Sequence, residues 1–202
     1  KSVENTLRDQ ELQRNAMAAK QSEKAKLITD TKNDQNNYAA LAQKRNSEVA
    51  KLREEQAAAN RRALGGSNVS IPGGVPGGGG YPGAWASAPL DAYVDPWGLY
   101  TRECVSYVAW KIHSTGRYVP HFGGAGNANQ WPSTAARHGI SSGSTPKAGA
   151  AAVMNIGYYG HVMYVESVNG DGTITVSDYN FAWDGLYRYY TRSASGLTYV
   201  YF

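Results

Sequence analysis

Glycine and proline divide this chain at residue 64. All 23 glycines and all 8 prolines lie beyond it, with every aromatic side chain except Tyr38. Glycine frees the backbone and proline interrupts a helix, so the first 64 residues carry no built-in stop. They are dominated by Ala, Gln, Lys, Glu, Asn, Leu and Arg, which favour one uninterrupted helix. Its apolar positions are sparse but ordered. Ala16, Leu27, Tyr38 and Val49 recur every 11 residues, and Leu41 and Leu52 form a parallel series. An 11-residue period is close to 3.67 residues per turn and gives a nearly straight or slightly right-handed seam. So polar a helix buries little alone, and its seam calls for a partner: an upstream helix, a second copy or another protein. The chain starts at Lys1 inside this pattern, without Met or signal peptide, which suggests that an upstream part has been removed.

The charge follows the same division. Residues 1–63 hold 13 Lys and Arg against 9 acids, and the remainder holds 7 against 7, so the net +4 belongs to the helical segment. There the bases alternate with acids, as in Lys51, Arg53, Glu54 and Glu55. That is a solvated helix face rather than a nucleic-acid stripe. No apolar run approaches the roughly 20 residues of a spanning helix. Between the halves, Gly65 to Gly83 has 9 glycines in 19 residues and reads as a flexible linker. Its root-mean-square reach of about 25 Å would let the helix meet or leave the domain that follows, and even occlude a cleft in it.

Residues 84–202 are long enough for one compact domain and contain the only cysteine, Cys104. A lone cysteine makes no internal disulfide and no zinc cluster. Asp95-Pro96 and Gly98 break the chain before it, Val105, Val108, Ala109 and Ile112 follow at helical spacing, and Gly116 ends the helix. Cys104 thus falls in a first helical turn, where unpaired amides and the positive end of the dipole lower a thiol pKa and can hold an oxyanion. His161–Val168 and Thr173–Tyr179 read as a β-hairpin around Asn169-Gly170-Asp171-Gly172. A two-residue Gly170-Asp171 turn places His161 opposite Asn180 and Met163 opposite Asp178. His161 and Asp178 are then diagonal neighbours on one sheet face, and Glu166 points to the other. A thiol, an imidazole and an orienting carboxylate are the parts of a nucleophilic site. His113, His121 and His138 fit it less well, lying round the helix or in turn-like stretches.

The W-G-x5-C-x2-Y-V-A-W run from Trp97 to Trp110, G-N-A-x-x-W from Gly126, P-x-x-G-A from Pro146, and the G-H-V-x-Y-V-E and V-S-D-Y-N hairpin strands occur in one order. In this combination the sequence resembles the CHAP family of cysteine peptidase and amidase domains that cut bacterial peptidoglycan. The resemblance implies an α+β, papain-like fold in which a helix carrying the cysteine packs on an antiparallel sheet. It implies Cys104 as nucleophile, His161 as base then acid, Asp178 as the orienting residue and Asn180 as a further polar partner. Glu103 departs from the Gln common before the cysteine. An ionised Glu there raises the thiol pKa and cannot donate to an oxyanion, leaving oxyanion binding to backbone N–H groups. Trp131, Tyr158, Tyr159, Tyr164, Phe181 and Trp183 are the aromatic candidates for a substrate cleft, Tyr158 and Tyr159 foremost. The helical stretch Leu27–Val49 is similar to coiled coils preceding such domains in secreted hydrolases and division activators.

The leading expectation is a secreted, wall-associated hydrolase cutting a stem-peptide or cross-bridge bond, or the N-acetylmuramoyl-L-alanine bond. It needs no cofactor, and its coiled coil is tethered or gated by a membrane-embedded ABC-type division complex or by self-association. Two rivals stand beside it: a degenerate domain whose helix is the working part, and a metal hydrolase using Cys104, His161 and Asp178 as ligands. Asp91 and Asp95 alone make a poor calcium loop.

Overall fold

The computed structural model describes residues 2–63 and 73–202; the side chains of residues 2–14 and of Ala16 lie outside that description, as do Lys1, Leu64 and linker residues 65–72. Helix α1 runs unbroken from Ser2 to Ala63, as the absence of Gly and Pro dictates. Along it Leu27, Tyr38, Leu41 and Val49 are exposed, which fits a coiled-coil segment awaiting a partner. No helix among the described residues is long and apolar enough to cross a membrane. The chain forms two compact units, residues 1–51 and 52–202, so the last turns of α1 belong to the second.

In that second unit a short helix α2 (Gly83–Ala86) leads to α3 (Cys104–Ser114) and, after a 3-10 turn, to α4 (Trp131–Arg137). The strands are β1 (Ser142–Gly143), β2 (Ala151–Met154), β3 (His161–Val168), β4 (Thr173–Tyr179), β5 (Tyr187–Ser193) and β6 (Thr198–Val200). They form one sheet in the order β1-β6-β2-β3-β4-β5, antiparallel at each pairing. The architecture is the expected α+β one, with α3 against β3 and β4. Side-chain alternation separates two cores. Tyr107, Val108 and Ile112 of α3 pack with Val153, Val162, Tyr164 and Tyr179 on one sheet face, while Met154, Met163, Val165, Ile174 and Val176 fill the other.

Two expectations are corrected here. The β3–β4 turn is one residue longer than read: the Asn169 N–H donates to the Thr173 carbonyl at 2.9 Å, and Ser167 faces Thr175 instead of Ile174. A bulge between Val165 and Ser167 absorbs the extra residue, so Tyr164 faces Ser177 and Val165 faces Val176 in the expected register. The slip is cancelled before it reaches the sheet end that carries His161 and Asp178.

Secondly, the part of the glycine-rich stretch from Gly73 to Gly83 is packed on the domain, unlike a flexible linker. Val75 exchanges backbone hydrogen bonds with Tyr187, and the Tyr179 hydroxyl donates to Gly78. Tyr81 is buried among Trp85, Tyr107, Trp110 and Tyr179. Gly78 and Gly79 lie so close to the Tyr187 ring that a Cβ would collide with it. Their lack of a side chain lets the strand lie on the aromatic surface. The Tyr81 hydroxyl shares a 2.6 Å hydrogen bond with Ser106 of α3 and accepts from the Arg102 N–H. Replacing Tyr81 by Ala should therefore destabilise the domain by about 3 kcal/mol, read as a lowered urea midpoint. A change under about 0.5 kcal/mol would show that this segment is not part of the core.

Candidate active site

The start of α3 carries no side-chain cap. Arg102 sits at φ 66, a left-handed conformation that costs a non-glycine residue on the order of 1 kcal/mol. Its guanidinium is held by the carbonyls of Ala88 and Gly185. Glu103 occupies the N-cap position but makes no side-chain cap, because its carboxyl turns the other way and accepts from Asn180 Nδ2 at 2.8 Å. Cys104 follows as the first helical residue, 8% exposed. The backbone N–H groups of Val105 and Val162 point at its sulfur.

Val162 neighbours His161, the first residue of β3, so the sulfur arrives from the helix face at the strand start. His161 Nε2 lies 2.9 Å from Asp178 Oδ2, and both side chains are buried. Tyr190 of β5 donates its hydroxyl to the same Oδ2 at 2.9 Å, and Phe181 packs edge-on to the imidazole. With Nε2 engaged, Nδ1 is the ring nitrogen left for a thiol. Tyr190 was not legible in the sequence, since nothing local says which strand flanks β4. Asn180 lies next to the site, but bonds Glu103 and the Gly185 N–H rather than the imidazole.

The electrostatics correct one expectation. Burial, and secondly the charge of Glu103, push the Cys104 thiol well above its ordinary range, against the lowering that the Val162 and Val105 amides supply. Desolvation outweighs the helix start, so the resting group is a thiol. Glu103 is itself pushed up to about 8, first by loss of hydration and then by the negative charge of Asp91. At neutral pH it keeps its proton and donates it to Asp91, whose own carboxyl burial raises while that bond and Arg53 oppose the rise. A protonated Glu offers one donor and an acceptor, as Gln does. This explains how Glu stands where Gln was expected.

The aromatic candidates separate. Trp131 is fully buried and stacked on Phe122, with its indole N–H donated to Gly126; it is core, not cleft, because the α4 start turns it inward. Tyr164 and Phe181 are also buried. Tyr158 is exposed, and Tyr158, Tyr159 and Trp183 form a continuous aromatic wall. No group of three or more His, Cys, Asp or Glu among the described residues is arranged to hold a metal.

The CHAP domain family model matches residues 94–180. Staphylococcal secretory antigen ssaA2 of Staphylococcus aureus is 43% identical over 103 residues, covering 48% of this chain and 35% of the relative. N-acetylmuramoyl-L-alanine amidase sle1 of the same species is 47% identical over 69 residues, covering 34% and 21%. A crystal structure of an N-acetylmuramoyl-L-alanine amidase from Staphylococcus aureus is 31% identical with a TM-score of 0.46, covering 50% of this chain and 30% of that one. The chain thus spans about a third or less of the length of these relatives. The match covers the run from just before α3 to the end of β4, the segment that carries Cys104, His161 and Asp178. Residues 94–180 of the chain are a CHAP domain.

Proposed function

We propose that this chain is a secreted, cell-wall-associated peptidoglycan hydrolase that cuts an amide bond through an acyl-enzyme on Cys104. The bond is either one within the stem peptide or cross-bridge or the N-acetylmuramoyl-L-alanine linkage. The observation that carries the reading is the buried His161–Asp178 pair at the sheet end to which Cys104 is held.

The buried thiol passes its proton to His161 Nδ1 as sulfur attacks the substrate carbonyl carbon, so the charged pair forms only with substrate in place. Asp178 holds Nε2–H and stabilises the imidazolium, and Tyr190 holds Asp178. The uncapped amides of the first α3 turn receive the developing oxyanion. Protonated Glu103 and Asn180 position that turn. His161 then protonates the leaving amine, the C–N bond breaks and a thioester remains. Water loses a proton to Nδ1, attacks the thioester and releases the acid, and the thiol recovers its proton. The exposed apolar residues along α1 support a tethering role through a second copy or a membrane-embedded ABC-type division complex, in cell separation.

Cys104→Ala should cut release of soluble fragments from purified peptidoglycan to about a thousandth or less, with an unchanged far-ultraviolet circular dichroism spectrum. Retained digestion would remove the proposal, and mass spectrometry of the products from the parent chain identifies the bond.

Glu103 makes a second outcome specific. Its folded pKa of about 8 stands above the ordinary 4.5, so its contribution to stability is full below about pH 4.5 and is lost as pH rises through about 8. Glu103→Gln removes that loss while keeping a donor and an acceptor. Urea midpoints of variant and parent should diverge, in the variant's favour, from about pH 5 to about pH 9. A difference independent of pH would mean that Glu103 does not hold its proton.

A further inference from the structure

Two polar side chains near the end of α1 are buried beside this site. Gln56 and Asn60, one helical turn apart, are each 1% exposed, although the faces of α1 before Leu52 are exposed as far as its side chains are described. Burying Gln or Asn is unfavourable unless its amide is fully paired. Here it is. Gln56 Oε1 accepts from the Tyr159 N–H at 3.0 Å, and Nε2 donates to the Ile156 carbonyl at 3.0 Å and to Asn60 Oδ1 at 2.8 Å. Asn60 Nδ2 donates to the Phe181 carbonyl at 2.8 Å.

The partners are backbone groups of two loops flanking the imidazole. Tyr159 lies two residues before His161, and Phe181 touches its ring. Gly157 is at φ +62, and a Cβ there would lie 2.3 Å from Gln56 Oε1; glycine keeps the slot open. Trp183 and Tyr159 stand together at its side, and the Trp183 indole N–H is buried without a partner among the described residues.

We infer that the Tyr159 N–H with the Ile156 and Phe181 carbonyls forms a substrate subsite for primary carboxamides, and that Gln56 and Asn60 occupy it as intramolecular stand-ins. The Tyr159 N–H and the Ile156 carbonyl together hold one amide, that of Gln56, and the Phe181 carbonyl takes a second, that of Asn60. A donor paired with an acceptor matches a carboxamide and disfavours a carboxylate, which offers the carbonyls no hydrogen. The ligand class is an amidated acidic side chain or an amidated α-carboxyl of a peptide. Assigning that peptide to peptidoglycan rests on the hydrolase reading; the subsite itself does not. Substrate and the α1 end compete, so the segment from Arg53 to Asn60 leaves before the slot fills.

The test uses the full chain with Cys104→Ala to prevent turnover, titrated calorimetrically with N-acetyl, C-methylamide tripeptides Ala-Gln-Ala and Ala-Glu-Ala. Adding Gln56→Ala should strengthen Ala-Gln-Ala binding by about tenfold and leave Ala-Glu-Ala the weaker ligand. Asn60→Ala, a second route to the same opening, should act in the same direction. Both variants should keep the parent's circular dichroism spectrum. Equal affinity for the two peptides, or binding unchanged in both folded variants, overturns the subsite. Digestion of purified peptidoglycan by Gln56→Ala with Cys104 intact is read separately. Amide-selective binding without digestion sinks the hydrolase reading and leaves the subsite standing.

Discussion

The His161–Asp178 hydrogen bond is the interaction on which the rest of the site depends, and it is a consequence of strand register. Both residues lie on the sheet face opposite α3, at the end where β3 begins and β4 finishes. A one-residue slip in a strand pair moves each side chain to the other face. The longer turn at Gly170–Gly172 would impose such a slip, and the bulge at Glu166 removes it. The displaced Glu166 accepts from Ser177, itself bonded by Tyr107, and pairs with Lys111. The irregularity is thereby tied into the helix–sheet contact, and Asp178, which holds the imidazole, is in turn held by Tyr190.

Around Cys104 the environment is low in hydration, which decides the protonation states more than the helix dipole does. Glu103 and Asp91 share a proton because two adjacent, partly buried carboxylates cannot both ionise cheaply. Asn180 and Arg53 hold the two ends of this pair. With Glu103 protonated at neutral pH, its charge, the second cause of the raised thiol pKa, bears on the sulfur only at higher pH. The thiol also waits as a thiol. In the proposed reaction, activation falls at the moment when substrate shields the sulfur and imidazole from water and the oxyanion forms at the α3 amides.

The last turns of α1 give the same chain two surfaces of different character. Up to Val49 the helix presents apolar residues to its surroundings. From Arg53 it instead contributes polar groups to the domain: the half-exposed Arg53 to Asp91 and across Trp183, and the buried Gln56 to the β2–β3 loop and Asn60 to Phe181. A helix end that satisfies loop backbone groups this completely makes their exposure unfavourable until another ligand pairs with them.

The sequence by itself determined the elements and the chemical inventory. The absence of Gly and Pro dictated an uninterrupted α1, alternation with turn residues dictated β3 and β4, and Cys104 at a break-then-helix pattern identified the first turn of α3. These are local effects of backbone freedom and side-chain period, so they are readable without neighbours. His161 and Asp178 were placed on one face by the same period. Tertiary structure decided what depends on which distant groups exclude water or supply hydrogen bonds. Trp131 became core because Phe122 stacks on it, and Tyr81 turned a glycine-rich stretch into part of the domain. Tyr190 reached Asp178 through β4–β5 pairing, and Gln56 met Tyr159 across 103 residues of sequence. The neutral state of Glu103 and the raised Cys104 thiol belong to that second class as well, because desolvation is a property of the packed surroundings and not of the residue.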